Sequence, residues 1–385
     1  MTSTRTVTPY PSQRLEDSEL LLIPGPVSVT QEVLDALSKP VRAHYGDEWT
    51  ALYKKLTTEM QGIFRTSGDV FLVFGPGSAG IEMSLASTLG PGDEVLVPGG
   101  GFFADRVAEL SRAIGLQVHE LRPDGYRPLA PEAVERALRQ HPNTRAVALV
   151  HHETDLGLIN PVREITEVTR AHDALMVLDA ISSLGGIELD MDGWGVDLCV
   201  AVGNKVLGAP VGVAPVAVGA RAWRAVADGR PKTAGWYLNL ETWRRYVELL
   251  GDWHPHATTM PTNVMVAFDA ALDQFLAEGQ EARMQRLAAA AARVRDGLRE
   301  LGFEMLVDDD AASPVCTAVL GRPGMDVRRF IRWLHEERGL HVSGGLGPLS
   351  GRIFRVGHMG AGADPAVVDR FLEAAGEYVE KADGR

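Results

Sequence analysis

From Leu20 to about Val266, short β-branched runs alternate with longer amphipathic stretches, and this alternation restricts the possible folds more than any other feature of the chain. Strand, crossover helix and strand in repetition is the rhythm of a mainly parallel sheet covered by helices. Strands are expected at Val70–Phe74, Glu94–Pro98, Ala146–His151, Leu175–Asp179, Asp197–Val202 and Val211–Val218. Helices are expected between them at Ala79–Leu89, Ala104–Ile114, Pro131–Gln140 and Val162–His172. Pro131 stands in a first turn, where its missing N–H costs nothing, and Gly115 stands where a helix-ending glycine belongs. Past Thr262 the pattern becomes a long helical run, Val264 to Leu301, broken near Gly279. A smaller α/β unit follows, with strands near Cys316–Leu320 and Ile353–Val356 and helices at Val327–Glu337 and Pro365–Tyr378. The expected organisation is therefore a polar N-terminal arm (1–19), a large α/β unit (20–278) and a small C-terminal α/β unit (279–385).

Composition narrows the function. With 38 Lys and Arg against 51 Asp and Glu the net charge is −13, which repels polyanions and argues against nucleic acid or an acidic membrane as partner. The two cysteines, Cys199 and Cys316, are too few for a disulfide framework or a zinc knuckle, and both lie in apolar runs as core thiols. No metal site is expected. No apolar run approaches the ~20 residues of a membrane span, and the N-terminus lacks an apolar signal core. A cytoplasmic enzyme acting on small molecules is the expectation.

Two kinds of motif carry chemistry. Phe74-Gly-Pro-Gly-Ser-Ala-Gly80 lies between an expected strand and an expected helix, so backbone N–H groups and a helix N-terminus form an anion cup. The same segment contains G-x-G-x-x-G at Gly75, Gly77 and Gly80, but a dinucleotide site also wants an acid at the tip of the second strand. That strand runs into Val95-Leu-Val-Pro-Gly-Gly-Gly101, which has none. Three later strand ends carry polar residues, His152-Glu153-Thr154-Asp155, Asp179 and Asn204-Lys205, and parallel strands bring such ends to one edge. Lys205 reads either as a snorkelling surface lysine or as a desolvated amine suited to Schiff-base chemistry.

In this order and spacing the residues resemble the class V aminotransferases, fold-type-I enzymes that use pyridoxal 5'-phosphate, and within them the alanine–glyoxylate and serine–pyruvate branch. The likeness runs from Leu21-Leu-Ile-Pro-Gly-Pro26 through Leu178-Asp-Ala-Ile-Ser-Ser-Leu-Gly-Gly186, Gly203-Asn-Lys-Val-Leu-Gly-Ala-Pro210 and Ser343-Gly-Gly-Leu-Gly-Pro348 to Gly351-Arg-Ile-Phe-Arg-Val-Gly-His-Met-Gly360. It implies a homodimer with shared active sites that moves an amino group between a small amino acid and a 2-oxo acid by a ping-pong mechanism.

Residue by residue, the resemblance implies that Lys205 bonds covalently to the cofactor and that Asp179 faces its pyridine nitrogen. Pro76, Gly77 and Ser78 would hold the phosphate, Phe103 would stack on the ring, and Thr154 would bond the phenolic oxygen. Ile181 and Asn204 are further cofactor contacts. His256 and Thr259 would reach the phosphate, Thr259 from the partner subunit. Arg355 would grip the substrate carboxylate, its alternative being a strand-edge arginine in solvent, and Pro26 would line the substrate side.

Several positions depart from the family pattern. Its usual Glu-Thr-Ser-Thr-Gly reads here Glu153-Thr-Asp-Leu-Gly157. Asp155 either caps backbone N–H groups or faces the substrate and selects a cationic or hydroxyl-bearing group. His256 replaces a frequent tyrosine and Asn204 a frequent glutamine, and Asn204-Lys205 with His358-Met359 also resembles the pyridoxamine–pyruvate branch. The same cofactor supports elimination, replacement or C–C bond formation, which is the alternative reading. From other classes, the rivals are a nicotinamide oxidoreductase and a cofactor-binding non-enzyme; Lys205, Asp179 and Arg355 together argue against the second.

Overall fold

A computed structural model describes residues 20–383; the expected arm, 1–19, lies outside them. In chain order the elements are β1 (Leu20–Leu22), α1 (Gln31–Leu37), α2 (Asp47–Phe64), β2 (Asp69–Phe74), α3 (Gly77–Thr88), β3 (Glu94–Pro98), α4 (Phe102–Ala113), β4 (Gln117–Leu121), α5 (Pro131–Gln140) and β5 (Thr144–Val150). There follow β6 (His152–Glu153), β7 (Leu158–Ile159), α6 (Val162–Ala171), β8 (Leu175–Asp179), α7 (Met191–Trp194), β9 (Leu198–Val200), β10 (Val213–Val218), α8 (Ala220–Val226) and α9 (Leu240–Leu250). The remainder is α10 (Thr262–Glu278), α11 (Gln280–Glu300), β11 (Glu304–Met305), β12 (Cys316–Leu320), α12 (Val327–Arg338), β13 (Leu340–Gly344), β14 (Ile353–Gly357) and α13 (Pro365–Asp383).

Seven strands form one sheet in the order β2-β10-β9-β8-β5-β3-β4. Strands β5, β8 and β9 are buried almost throughout, which is why they read as continuous apolar runs rather than as alternation. The sheet is parallel except for β10, which is antiparallel to both β2 and β9. Strand β10, at the expected Val211–Val218, is thus the antiparallel member of a mainly parallel sheet. Segment 201–212 contains no helix and folds back on itself, Ala209 N donating to Gly203 O, and without a crossover the next strand returns antiparallel. Strand β4 was not expected; it is a half-exposed edge strand, carries His119 and Glu120, and so lacks the apolar signature of its neighbours.

Helices bury apolar stripes on this sheet, as in α5, where Val134, Ala137 and Leu138 fall at i, i+3 and i+4. Gly80 lets α3 lie close: a methyl group there would stand 2.5 Å from Val200 Cγ1. The break expected near Gly279 is where α10 gives way to α11.

The second sheet has the order β1-β13-β14-β12-β11, with Phe330, Phe354 and Phe371 fully buried in its core. Leu20–Leu22 falls within the expected 20–278 unit, yet β1 pairs in parallel with β13, and Leu20 and Leu22 pack into this second core. Among the described residues, no helix is long and apolar enough to cross a membrane.

Candidate active site

The C-terminal ends of β5, β8 and β9 open on a cavity of about 220 Å³. Helix α3 starts there and presents Pro76, Gly77 and Ser78; the first turn of α4 adds Phe103. Thr154 enters just past β6, Asp179 and Ile181 from the end of β8, and Asn204 and Lys205 from the loop after β9. Nine of the residues singled out from the sequence thus border one space, as expected at the carboxyl edge of an open α/β sheet.

The charges in the cavity are set by burial. Asp179 is 7% exposed, and its Oδ1 accepts from Ile181 N at 2.9 Å. Desolvation pushes its carboxyl up to about 6, opposed by that bond and by Lys205 and Arg106. Lys205 is pulled the other way, to about 8, again chiefly by desolvation, with Arg355 adding to the effect and Asp179 opposing it. The amine donates to Pro24 O. Gly25, at φ +103°, lies against the lysine stem, and a methyl group on it would come within 2.6 Å of Nζ. Glycine is required here both by the backbone and by the lysine.

At the anion cup the N-cap of α3 is Pro76, which offers no side-chain acceptor. The first amides of the helix therefore have no side-chain cap and suit a phosphate. Ile181 packs so closely on Gly77 that any side chain at 77 would overlap it. A desolvated lysine, a buried carboxylate and an uncapped helix N-terminus on one cavity fit the three polar ends of pyridoxal phosphate, so the residues present suit this group.

Arg355 is 7% exposed on β14 and does not point into solvent. Nε donates to Gly344 O (2.9 Å) and Nη1 to Thr154 O (3.2 Å); Nη2 has no hydrogen bond among the described residues. Pro26 is exposed, between Gly25 on Lys205 and Val27, whose N–H donates to Asn204 O (3.2 Å).

Three residues named above sit elsewhere. Asp155 is off the cavity wall and caps α4, its Oδ2 accepting from Phe102 N at 2.7 Å. Thr259 is exposed, away from this chain's cavity. His256 is fully buried. Trp49 Nε1 donates to its Nε2 (2.8 Å), so Nδ1 bears the proton and donates to Thr258 O (2.6 Å). Both nitrogens being engaged within the chain, the ring offers no donor to a phosphate, and His256 is not retained in the site proposed below.

The cavity also includes Arg106 and Ser182, which the sequence did not single out, and His152, which it placed at a strand end without a role. Arg106 was legible as the residue one helical turn after Phe103, and its guanidinium lies 5.2 Å from that ring. Ser182 Oγ donates to His152 O (3.2 Å) and accepts from His152 Nδ1 (3.0 Å), fixing the tautomer. Burial holds this imidazole down to about 3, so it is neutral.

Comparison with known proteins finds relatives over nearly the whole chain. Residues 27–353 match the family Aminotransferase class-V. The chain is 34% identical to an uncharacterised aminotransferase of Methanocaldococcus jannaschii, over 89% of this chain and 88% of that protein. The crystal structure of an alanine–glyoxylate aminotransferase from Nostoc sp. superposes with a TM-score of 0.89 at 29% identity, covering 94% of this chain and 95% of the other. A pyridoxamine–pyruvate aminotransferase from Mesorhizobium loti gives a TM-score of 0.89 at 30% identity, with 98% and 95% covered.

Proposed function

Because the chain belongs to the class-V aminotransferase family and is a pyridoxal 5'-phosphate-dependent aminotransferase, we propose that it moves an amino group between a small amino acid and a 2-oxo acid of the pyruvate or glyoxylate type. The observation that carries this reading is the convergence of Lys205, Asp179 and the α3 amides on one cavity, with Arg355 bonded to the carbonyl of the cavity residue Thr154.

When bound, the cofactor supplies an electron sink for the pair left by the departing Cα proton. The protein does the rest. Asp179, mostly ionised at neutral pH, keeps a proton on the ring nitrogen. Lys205, lowered by burial so that far more of it is neutral than of an ordinary lysine, would anchor the cofactor and then move a proton to and from Cα. Gly77 and Ser78 would hold the phosphate, Phe103 and Ile181 would confine the ring, and Thr154 and Asn204 would bond its polar groups. Arg355 orients the substrate carboxylate through its free Nη2.

A homodimer is part of the proposal. Phe74, Val211 and Trp236 are exposed by 47%, 58% and 52%, and Val211 borders the cavity itself. A second copy would cover these apolar groups and bring Thr259 to the neighbouring phosphate. We also propose that the enzyme works in the cytoplasm, consistent with two buried, unpaired cysteines, and that the chain divides near 278/279, with β1 serving the smaller unit.

Rapid mixing of the holoenzyme with single amino acids tests the reaction. The expected result is one equivalent of 2-oxo acid and of the cofactor's amine form per site, without free ammonia. Ammonia release in place of the amine form would assign the site to elimination instead. Truncation of Arg355 to Ala should raise KM and lower kcat, reducing kcat/KM for carboxylate substrates by about 10–100-fold, the scale of a lost hydrogen bond to a charged group. Lysine at this position should recover little, since it lacks the planar fork. Equal losses with amines that carry no carboxylate would remove the role assigned to Arg355.

A further inference from the structure

Helix α4 opens with the amides of Phe102, Phe103 and Ala104, and two buried carboxylates take all three. Asp155 Oδ2 accepts from Phe102 N (2.7 Å), Glu153 Oε2 from Phe103 N (3.2 Å) and Glu153 Oε1 from Ala104 N (2.8 Å). Glu153 is 1% exposed and Asp155 4%. Both converge on one point: a methyl group on Gly101 would overlap Glu153 Oε2 and stand 2.8 Å from Asp155 Oδ1. That Oδ1 is enclosed and has no hydrogen-bond donor among the described residues.

Two ionised carboxylates do not converge in a dry site unless a cation lies between them. The charged groups that face the pair are few. From β14, Arg355 favours the ionised form of Asp155, yet its bonds go to Gly344 O and Thr154 O rather than to either acid. From β12, Cys316 is pushed up to about 12 by burial and stays neutral. The N-terminus of α4 supplies partial positive charge only. A proton on Glu153 Oε2 would give the enclosed Oδ1 its donor, while the other Oε2 lone pair still accepts from Phe103 N. Burial, and then the charge of Asp155, hold the Glu153 carboxyl well above the usual range.

We infer that Glu153 and Asp155 share one proton and act as a positioning pair, locking the first turn of α4 and with it Phe103 against the cavity. The residue between them extends the arrangement. Thr154 borders the cavity, and its carbonyl accepts from Arg355 Nη1 and from Cys316 Sγ, the latter at 3.6 Å. One tripeptide therefore sets the ring-stacking face, the phenolic-oxygen contact and the substrate arginine. When rising pH removes the shared proton, repulsion separates the acids and displaces all three. The functional half of this inference rests on the roles proposed for Phe103 and Arg355; the shared proton does not.

Infrared difference spectroscopy of the full-length wild type against its Glu153→Gln and Asp155→Asn variants, each measured with and without cofactor, tests the proton directly. Near neutral pH the wild type should show the carbonyl stretch of a protonated carboxyl group, lost in Glu153→Gln and bleaching at lower pH in Asp155→Asn, where burial still raises Glu153 but the charge of Asp155 no longer does. In Asp155→Asn the amide N–H replaces the shared proton with a donor that cannot dissociate. Wild-type cofactor affinity should fall by about tenfold or more, the size of a one-unit pKa coupling, over the pH range in which the band bleaches. Asp155→Asn should not fall there. Asp155→Ala, which loses the Phe102 cap, should bind weakly at every pH. Absence of the band, or an unaltered loss with rising pH in Asp155→Asn, overturns the proposal. A band that bleaches with no change in affinity overturns the positioning role alone. Failure of the wild type to bind cofactor would refute the functional reading while leaving the infrared result intact.

Discussion

Lys205→Ala is expected to fold, to lose the visible absorbance band of the covalently held cofactor, and to lose turnover on the order of 10⁴-fold, the upper range for a missing general acid–base group. Among the described residues no other lysine borders the cavity, so none of them can take over the bond to the cofactor or the proton transfer at Cα. The wild type adds a pH signature. Burial lowers this amine from 10.5 to about 8, so reaction of the cofactor-free protein with small aldehydes should inflect near pH 8 at Lys205. Surface lysines should still be gaining reactivity above pH 10. The sign for stability is fixed too: a base whose pKa is lowered in the folded state weakens the fold while it is protonated, and stability recovers as pH rises from about 8 to 10.5. Borohydride-reducible cofactor in Lys205→Ala, or an inflection at the pH of ordinary lysines, would reject the assignment.

Asp179→Asn should separate binding from chemistry. The phosphate, ring and lysine contacts proposed above are untouched by this change, so the variant should take up cofactor. A neutral amide cannot hold a proton on the pyridine nitrogen, so loss of the Cα proton should slow on the order of 10²–10⁴-fold. The same change should stabilise the empty protein. Burial raises this carboxyl from 3.8 to about 6, and a raised acid is penalised by folding once both states ionise. Two pKa units correspond to about 3 kcal/mol at pH 7. That penalty is absent below pH 4, grows as pH rises from about 4 to 6, and is constant above. Thermal melts of the cofactor-free proteins should therefore show Asp179→Asn more stable above pH 6 and equal to the wild type near pH 3.5. Single-turnover rates close to wild type would contradict the catalytic role, and equal melting at pH 7 would contradict the buried charge.

Both residues were legible without coordinates, because Asp179 ends the apolar strand β8 and Lys205 follows the apolar strand β9 within the next loop. Strands β3, β8 and β12 fall where the sequence places them to the residue, since a strand buried on both faces is a continuous apolar run bounded by turn residues. Polar groups just past such runs must gather at one edge of a parallel sheet, which places Thr154, Asp179 and Lys205 together before any distance is known. Edge strand β4 lacked that signature. What the pattern leaves open is the partner. The antiparallel entry of β10 and the pairing of β1 with β13 depend on which neighbour each strand meets. Asp155 meets the amide of Phe102, 53 positions away, and His256 meets Trp49, 207 positions away. Periodicity and turn chemistry are local and determine what each segment becomes and which face it buries. Contacts between distant segments follow from the packing of finished elements, and it was that packing that turned Asp155 onto α4 and drew His256 into the core.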